Sequence, residues 1–474
     1  MSRRAWIIFI FLLPFQWAGA APPNILWIYV DDMSDWFGCY GHSAVPTPHV
    51  DSLAKEGVLF ERAYVPAPVC STTRSALITG TMQTSHGWHH HRTMIKKPLP
   101  KGITTVSELF QKAGYLTFNE AKEDYNFTQE GRRLYTHSFQ KGSHFNGKLD
   151  WMAQLKGKPF FGQIHLKGGK LGGETGSKFP SKSRVEASEV TVPSYYPDHP
   201  VIRDGLARHY EQVSVVDEEV GLIIAALKKN KLWDNTVVFF FTDHGSPMPR
   251  EKQNLYEAGL KVPLVVRGPG IEKAKRADLI SGIDIPVTSL VLAGIGVPEF
   301  MEGRDFFAKE GPKRQYVIGA RDRLGVAIDR VRTVRTDRFR YIRNFHTDRA
   351  LYQLQYRENY ASLKTLRELF AGGELSKVQA SYHDAARRPS EELYDMTEDP
   401  DQVKNLAGDP KYAGELESHR KLLVDWIKST GDQGKDAASQ NELRAVFKGA
   451  KGKVENPEYD FLKKENPSSV NARK

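Results

Sequence analysis

Apolar residues gather in this chain as short unbroken runs, each closing on a polar or glycine-rich cluster. Residues 24–30 (NILWIYV) run into Asp31-Asp32, and residues 236–242 (TVVFFFT), set off by a turn at Asp234-Asn235, run into Asp243-His244-Gly245. Residues 159–166 and 262–267 repeat the design, the second ending at Gly268-Pro269-Gly270. Runs that are apolar at successive positions predict strands covered on both faces, since a half-exposed strand would alternate. Helical spacing marks residues 105–113 and 209–228, where Val213, Val216, Val220, Ile223 and Leu227 recur at every third or fourth position. Strands alternating with helices predict an α/β sandwich with a largely parallel central sheet. Functional groups of such a sheet lie beyond the carboxyl ends of its strands, where both acidic clusters fall.

The texture changes after about residue 310. Residues 330–344 (RVRTVRTDRFRYIRN) read as two alternating strands around a turn at Thr336-Asp337, with their arginines on a solvated face. Residues 352–386 look helical and charged, and 392–407 read as a strand, a turn and a helix start. A large domain over 21–310 and a smaller α+β domain over 311–474 are expected. The last stretch, 431–474, is rich in Lys, Asn, Gly and Ser and is expected to wrap the surface or fray.

Charge and cysteine usage narrow the class. Arg3 and Arg4 precede an apolar stretch and Ala18-Gly19-Ala20, the layout of a cleaved secretory signal over residues 1–20. That stretch is too short to span a bilayer, and no later segment is apolar enough, so an exported protein with no membrane partner is expected, periplasmic or secreted. Two cysteines exclude a disulfide-built scaffold. The net charge of +10, or +8 without Arg3 and Arg4, favours polyanionic partners. No nucleic-acid motif accompanies it, so sulfated polysaccharide is the expected polyanion.

The chemistry centres on residues 68–80 (PVCSTTRSALITG). Cys70 opens a helical segment, where unpaired backbone N–H groups and the positive end of the helix dipole favour an anion. Arg74 lies one turn along, able to hold an anion beside the sulfur. The bland reading is a small buried residue or a disulfide with Cys39. Asp31-Asp32 and Asp243-His244, each at a strand end, suit a hard divalent cation; adjacent carboxylates there are costly without a cation or basic neighbours.

These segments together resemble the sulfatases, over nearly the whole chain after residue 20. The cysteine segment resembles the family's C-x-P-x-R signature, with Thr72 in the place of proline. The resemblance implies that Cys70 is oxidised to formylglycine by a formylglycine-generating or equivalent maturation enzyme. It also implies a metal shell of Asp31, Asp32, Asp243, His244 and the modified Cys70, holding calcium, with magnesium the alternative. Lys252, followed by Tyr256-Glu257 and Gly259-Leu260-Lys261-Val262-Pro263, resembles an element whose lysine contacts the sulfate. Two elements are altered: Lys122 survives in its motif while Asp124 takes a histidine's place, and Lys170 stands where a histidine is usual. A lysine desolvated among cations has a lowered pKa, which makes Lys170 or Lys122 the candidate donor to the leaving group.

His86, His89, His90 and His91 follow the helix; three consecutive histidines cannot all face one ion, so His90 and His91 are read as substrate-pocket residues and further candidates for the acid. Further matches are Gly282-Ile283-Asp284-Ile285-Pro286, Gly303-Arg304-Asp305 and Leu393-Tyr394-Asp395. The implied fold is alkaline-phosphatase-like, with a small C-terminal antiparallel sheet, and the implied reaction is hydrolysis of sulfate esters on polysaccharide or glycosaminoglycan sugars. In this picture Arg74, Lys122 and Lys252 offset charge on the transferring group. Arg321 and Arg323, in an expected loop, would read the sugar bidentately. A phosphodiesterase or phosphonate hydrolase of the same superfamily, or a non-catalytic binder of sulfated glycans, are the competing readings.

Overall fold

The computed structural model describes residues 21–120, 122–139, 150–155, 157–170 and 183–465. The expected signal, residues 1–20, lies outside them, as does the end of the tail after Glu465.

The first ten strands are β1 (Asn24–Val30), β2 (Val58–Tyr64), β3 (Lys97–Pro98), β4 (Leu116–Glu120), β5 (Phe127–Thr128), β6 (His137–Phe139), β7 (Phe160–Leu166), β8 (Thr236–Thr242), β9 (Lys261–Arg267) and β10 (Ala274–Ser281). Eight of them form one sheet in the order β10-β2-β9-β8-β1-β7-β4-β6, and β3 pairs with β5 apart from it. β1 runs parallel to both neighbours, β7 and β8, and β9 is antiparallel to both of its neighbours, β8 and β2. β10 follows β2, and β4 follows β7 and β6, so β9 alone is reversed in this sheet.

The apolar runs are explained by burial on both faces. Ile25, Trp27 and Tyr29 join one core with Val237, Phe239 and Phe241; Leu26, Ile28 and Val30 join the other with Val238 and Phe240. The first core is closed by α2 (Cys70–Thr79), α3 (Val106–Lys112) and α6 (Asp284–Leu292), through Leu77, Phe110 and Leu290. The second is closed by α1 (Pro48–Glu56) and α4 (Pro200–Lys229), through Leu53, Val213, Val220 and Leu227. Helix α4 starts nine residues before the expected position, because Pro200 fills its first turn and the His199 side chain caps the Val201 N–H. The short α5 (Glu257–Leu260) leads into β9.

A second sheet, entirely antiparallel, is built from β11 (Val317–Arg321), β12 (Val331–Arg335), β13 (Phe339–Asn344) and β14 (Glu391–Asp395) in chain order. Helix α9 (Ala413–Thr430) packs on it, whereas α7 (Ala361–Ala371) packs on α4 and, with α8 (Lys377–Ser381), adds Leu366 and Val378 to the second core of the large sheet. The expected helix over 352–386 is broken at Gly372-Gly373, where Gly373 takes φ +72°. No helix starts near 403: Asp399 accepts the N–H groups of Val403 and Lys404 and holds a turn instead.

Two expectations are corrected here. The hairpin of β12 and β13 does not lay all its arginines on a solvated face. Arg332, Arg335 and Arg340 are buried, because α9 covers one side of the hairpin and the α5 region covers the other. Arg332 meets Asp322 at 3.1 Å and Asp432 at 2.8 Å, while Arg335 and Arg340 meet Glu257 at 3.3 and 2.6 Å. Of the stretch after Gly431, the described residues, up to Glu465, do not fray either. This segment forms α10 (Gln440–Gly449) and α11 (Asp460–Glu465), and Leu443, Val446, Phe447 and Leu462 of these helices make a core with Val454 and Tyr459 between them.

Candidate active site

Five chain segments deliver side chains to one edge of the large sheet. Asp31 and Asp32 follow β1, Asp243 and His244 follow β8, Lys170 follows β7, Lys122 follows β4, and Cys70 is the first residue of α2. The edge is the carboxyl one for all four strands, as their shared direction requires. Asp32 takes φ +51°, a left-handed backbone in which Asp is among the few tolerated side chains. Its amide donates to Asp243 Oδ1 at 2.9 Å, tying the two acidic clusters together.

Donor atoms of Asp32, Cys70, Asp243 and His244 all lie within 4.8 Å of one another, every residue buried. Oxygen, imidazole nitrogen and a deprotonated sulfur position are ligands that a divalent cation accepts, so the residues fit the metal that the sulfatase resemblance implies. Asp31 stands beside this group. Its carboxylate receives Arg74 Nη2, Lys170 Nζ at 2.6 Å and Lys122 Nζ at 3.3 Å. Arg74 also reaches Asp243 at 2.9 Å and lies 4.2 Å above the Tyr29 ring, and Lys252 reaches Asp32 at 2.5 Å. The three acids are thus surrounded by four cations.

Cys70 is 1% exposed and carries no disulfide; Cys39 is a separate free thiol. Its Sγ lies 3.3 Å from His244 Nε2 and 3.7 Å from both Lys170 Nζ and Lys252 Nζ. Burial pushes the thiol up, but Lys170, Lys252 and Lys122 outweigh burial and hold it well below the ordinary thiol value. The expectation of a lowered Lys170 pKa is reversed. Burial works in that direction, yet Asp32, Cys70 and Asp31 raise Lys170 well above the ordinary lysine value, so it stays an ammonium. Burial, with help from the Cys70 and Asp31 charges, lifts Asp243 to about 7.

The histidines separate. His91 is buried with its charge state set partly by Cys70, and burial lowers its pKa. His90 lies with its ring 4.3 Å from that of His89, and burial, with His89, Arg323 and Arg332, holds its pKa well below the ordinary value. Arg321 and Arg323 are not in an open loop. Arg321 ends β11, buried against Asn254 Oδ1 at 3.1 Å and Asp329 at 3.6 Å. Arg323 is 2% exposed, pairs with Glu442 at 2.7 Å and donates to the Gly325 carbonyl. Their guanidinium groups fasten the second sheet and α10, which takes them out of sugar reading. Asp124 meets Arg92 at 3.3 Å and Lys122 at 3.5 Å.

Three neighbours escaped the sequence reading. Tyr29 carries Arg74, and His165, its register partner on β7, lies 3.7 Å from Asp31. A polar-tipped residue one position inside an apolar strand end was the available signal for both. Arg92 had none, being one arginine among many.

A helix start ringed by fixed ammonium and guanidinium groups is a setting suited to a tetrahedral oxyanion. On an alkaline-phosphatase-like sandwich this defines a hydrolase of anionic esters. The family model for sulfatases matches residues 23–295, and the chain belongs to the sulfatase family, the sulfuric ester hydrolases. It is 30% identical over 458 residues to an ulvan-active sulfatase of Formosa agariphila, covering 86% of this chain and 75% of that protein. It is 27% identical to human N-sulphoglucosamine sulphohydrolase, covering 87% of this chain and 91% of that one. The fold is shared with a solved 2-O GAG sulfatase at TM-score 0.68 and 21% identity, covering 90% of this chain and 96% of that one.

Proposed function

We propose that this sulfatase is exported, to the periplasm or beyond, and removes sulfate esters from the sugars of sulfated polysaccharides or glycosaminoglycans. The reading of export rests on residues 1–20; no helix of the described residues is long and apolar enough to cross a membrane. The carbohydrate reading is supported by the names of relatives, ulvan-active and N-sulphoglucosamine enzymes among them, and by the basic charge.

The single observation that carries the mechanism is Cys70 at the first turn of α2, 3.7 Å from two ammonium groups and 3.3 Å from His244. Formylglycine made from Cys70 by a maturation enzyme would supply a nucleophile that releases sulfate without a second attack on sulfur. A divalent cation of the calcium type, held by Asp32, Asp243, His244 and position 70 with Asp31 beside them, would add charge stabilisation. The protein's own part is electrostatic. Lys252 and Lys170 flank the position of the transferring group, and Lys122 stands behind them on Asp31. Arg74 is fixed by two carboxylates and the Tyr29 ring, so it reorganises little as charge develops. Lys170 and Lys122 remain the candidates for the leaving-group proton, with His91 buried at the same wall.

Mass measurement on the peptide carrying Cys70, together with desulfation of defined sulfated mono- and disaccharides, tests this reading. A peptide lighter than the cysteine form and release of inorganic sulfate are expected. An unmodified peptide in an enzyme that cleaves phosphonate or phosphodiester substrates but no sulfate ester would sink it.

A further inference from the structure

Arg92 stands at the rim of this site under conditions that packing does not explain. It follows His91 in a left-handed backbone, φ +52°, a conformation that costs an ordinary side chain about 1–2 kcal/mol. The amide is held there by Ser71 Oγ at 2.8 Å, from the residue next to the nucleophile position. The side chain is 56% exposed, and its Nε and Nη2 both donate to Asp124 Oδ2 at 3.3 Å. An exposed pair of this kind contributes about 0–1 kcal/mol, which does not offset the backbone cost. Two of the five N–H groups of the guanidinium are used on Asp124.

The rim is wired to the interior. Arg92 meets Asp124, Asp124 meets Lys122 at 3.5 Å, and Lys122 meets Asp31, which receives Arg74. Tyr356, half-exposed, places its ring 6.1 Å from that of His91, the residue before Arg92. Deeper cations are already engaged: Lys252 with Asp32, Arg74 with Asp31 and Asp243. One sulfate ester brings one negative charge to the pocket floor. At the rim, Arg92 and Lys122 share the carboxylate of Asp124 and Lys122 is also held by Asp31, which leaves Arg92 with guanidinium N–H groups unused toward solvent.

We propose that Arg92 determines specificity by binding a second anionic group on the sugar whose sulfate ester is presented to position 70, a carboxylate or a second sulfate. Asp124 is its positioning residue. The assignment rests on the sulfatase reading above and deepens it: the substrates are uronic or multiply sulfated sugars rather than neutral monosulfated ones. Guanidinium suits this task because its planar fork matches either oxyanion bidentately.

The test compares kcat/KM of the matured full-length enzyme on three sugars: neutral monosulfated, monosulfated uronic and neutral disulfated. Arg92→Asn keeps a residue that tolerates the left-handed backbone, and Arg92→Lys keeps the charge without the fork. For Arg92→Asn, kcat/KM on one doubly anionic sugar is expected to fall about tenfold further than on the neutral sugar, chiefly through KM, with partial recovery in Arg92→Lys. Which of the two anionic sugars is affected identifies carboxylate or sulfate. An equal fall on all three overturns the assignment. If wild type releases no sulfate from any of them, the sulfatase reading has failed on its own account. Calorimetric binding of the same sugars to Cys70→Ala, with and without Arg92→Asn, then decides the role of Arg92. Loss confined to a doubly anionic sugar supports it, and equal affinities overturn it.

Discussion

Two buried charge clusters in this molecule have nearly the same ingredients and opposite designs. In the second sheet, Arg332 lies between Asp322 and Asp432, and Arg340 and Arg335 share Glu257; opposite charges alternate, with solvent shut out around Arg332 and reaching only Glu257, 18% exposed. At the edge of the large sheet the order is inverted. Acids converge on one another, with donor atoms of Asp32, Asp243, His244 and Cys70 inside 4.8 Å, and the cations form an outer ring that opens to solvent through Lys170, 34% exposed, and Lys122, 18% exposed. Alternation makes a structural lock, whereas like charges gathered inside a ring of opposite ones make a receptacle. Arginine count alone did not separate the two, which is why Arg321 and Arg323 pointed the wrong way from the sequence.

Variants that treat the clusters differently break or sharpen this contrast. Cys70→Ala is expected to lower kcat/KM by about a thousandfold or more while shifting Tm little, since it removes the nucleophile from an otherwise intact ring. Retained turnover in that variant would remove the receptacle reading. Asp243→Asn is expected to lose bound divalent metal, by elemental analysis, together with activity; stoichiometric metal in the purified variant would count against the assigned shell. In the lock, Asp432→Ala leaves Arg332 with one fewer partner and is expected to cost about 3–5 kcal/mol in denaturant unfolding. Its kcat/KM at a temperature where it stays folded should remain within a few-fold of wild type. A large catalytic loss with little loss of stability would reverse the two roles.

The smallest expected effect is on pH dependence. Burial raises Glu257, but Arg340 and Arg335 overcome burial and set it at about 2, below the ordinary 4.5. A depressed carboxylate contributes stability that is complete above its unfolded pKa and is lost as pH falls through the folded one. Glu257 should therefore contribute up to about 3 kcal/mol near neutrality, fading between about pH 5 and pH 2. Glu257→Gln should flatten the acid limb of the unfolding curve in that window. An unchanged slope would show that the lock is held elsewhere.

What the chain disclosed in advance follows the same division. Strands covered on both faces leave unbroken apolar runs, so β1, β7, β8 and β9 were legible, and so was the chemistry placed directly at their ends: Asp31, Asp32, Asp243 and His244. Cys70 and Arg74 were legible because a helix start and a one-turn spacing are local facts. Partnerships across long sequence separations were not. Arg323 with Glu442 and Arg332 with Asp432 depend on where the second sheet and α10 dock, and no local pattern encodes that. The lowered pKa expected of Lys170 failed for a related reason: the groups that act on it most are Asp31 and Asp32, brought by β1, and Cys70, not the other cations of the site.

Glu442 in α10 gives the finished fold a place in time. Its carboxylate receives the amides of Met94 and Ile95 at 2.9 Å each and pairs with Arg323, so a residue near the end of the chain anchors the loop beside Arg92. On a ribosome, Glu442 exists only on the order of tens of seconds after Cys70 has been made. Throughout that interval the loop lacks its two bonds to Glu442, while the Arg92 amide already has its acceptor in Ser71. Arrival of α10 therefore works as a clock. A chain cut short before residue 440 would leave the Met94 and Ile95 amides without this acceptor and the loop beside Arg92 less firmly held.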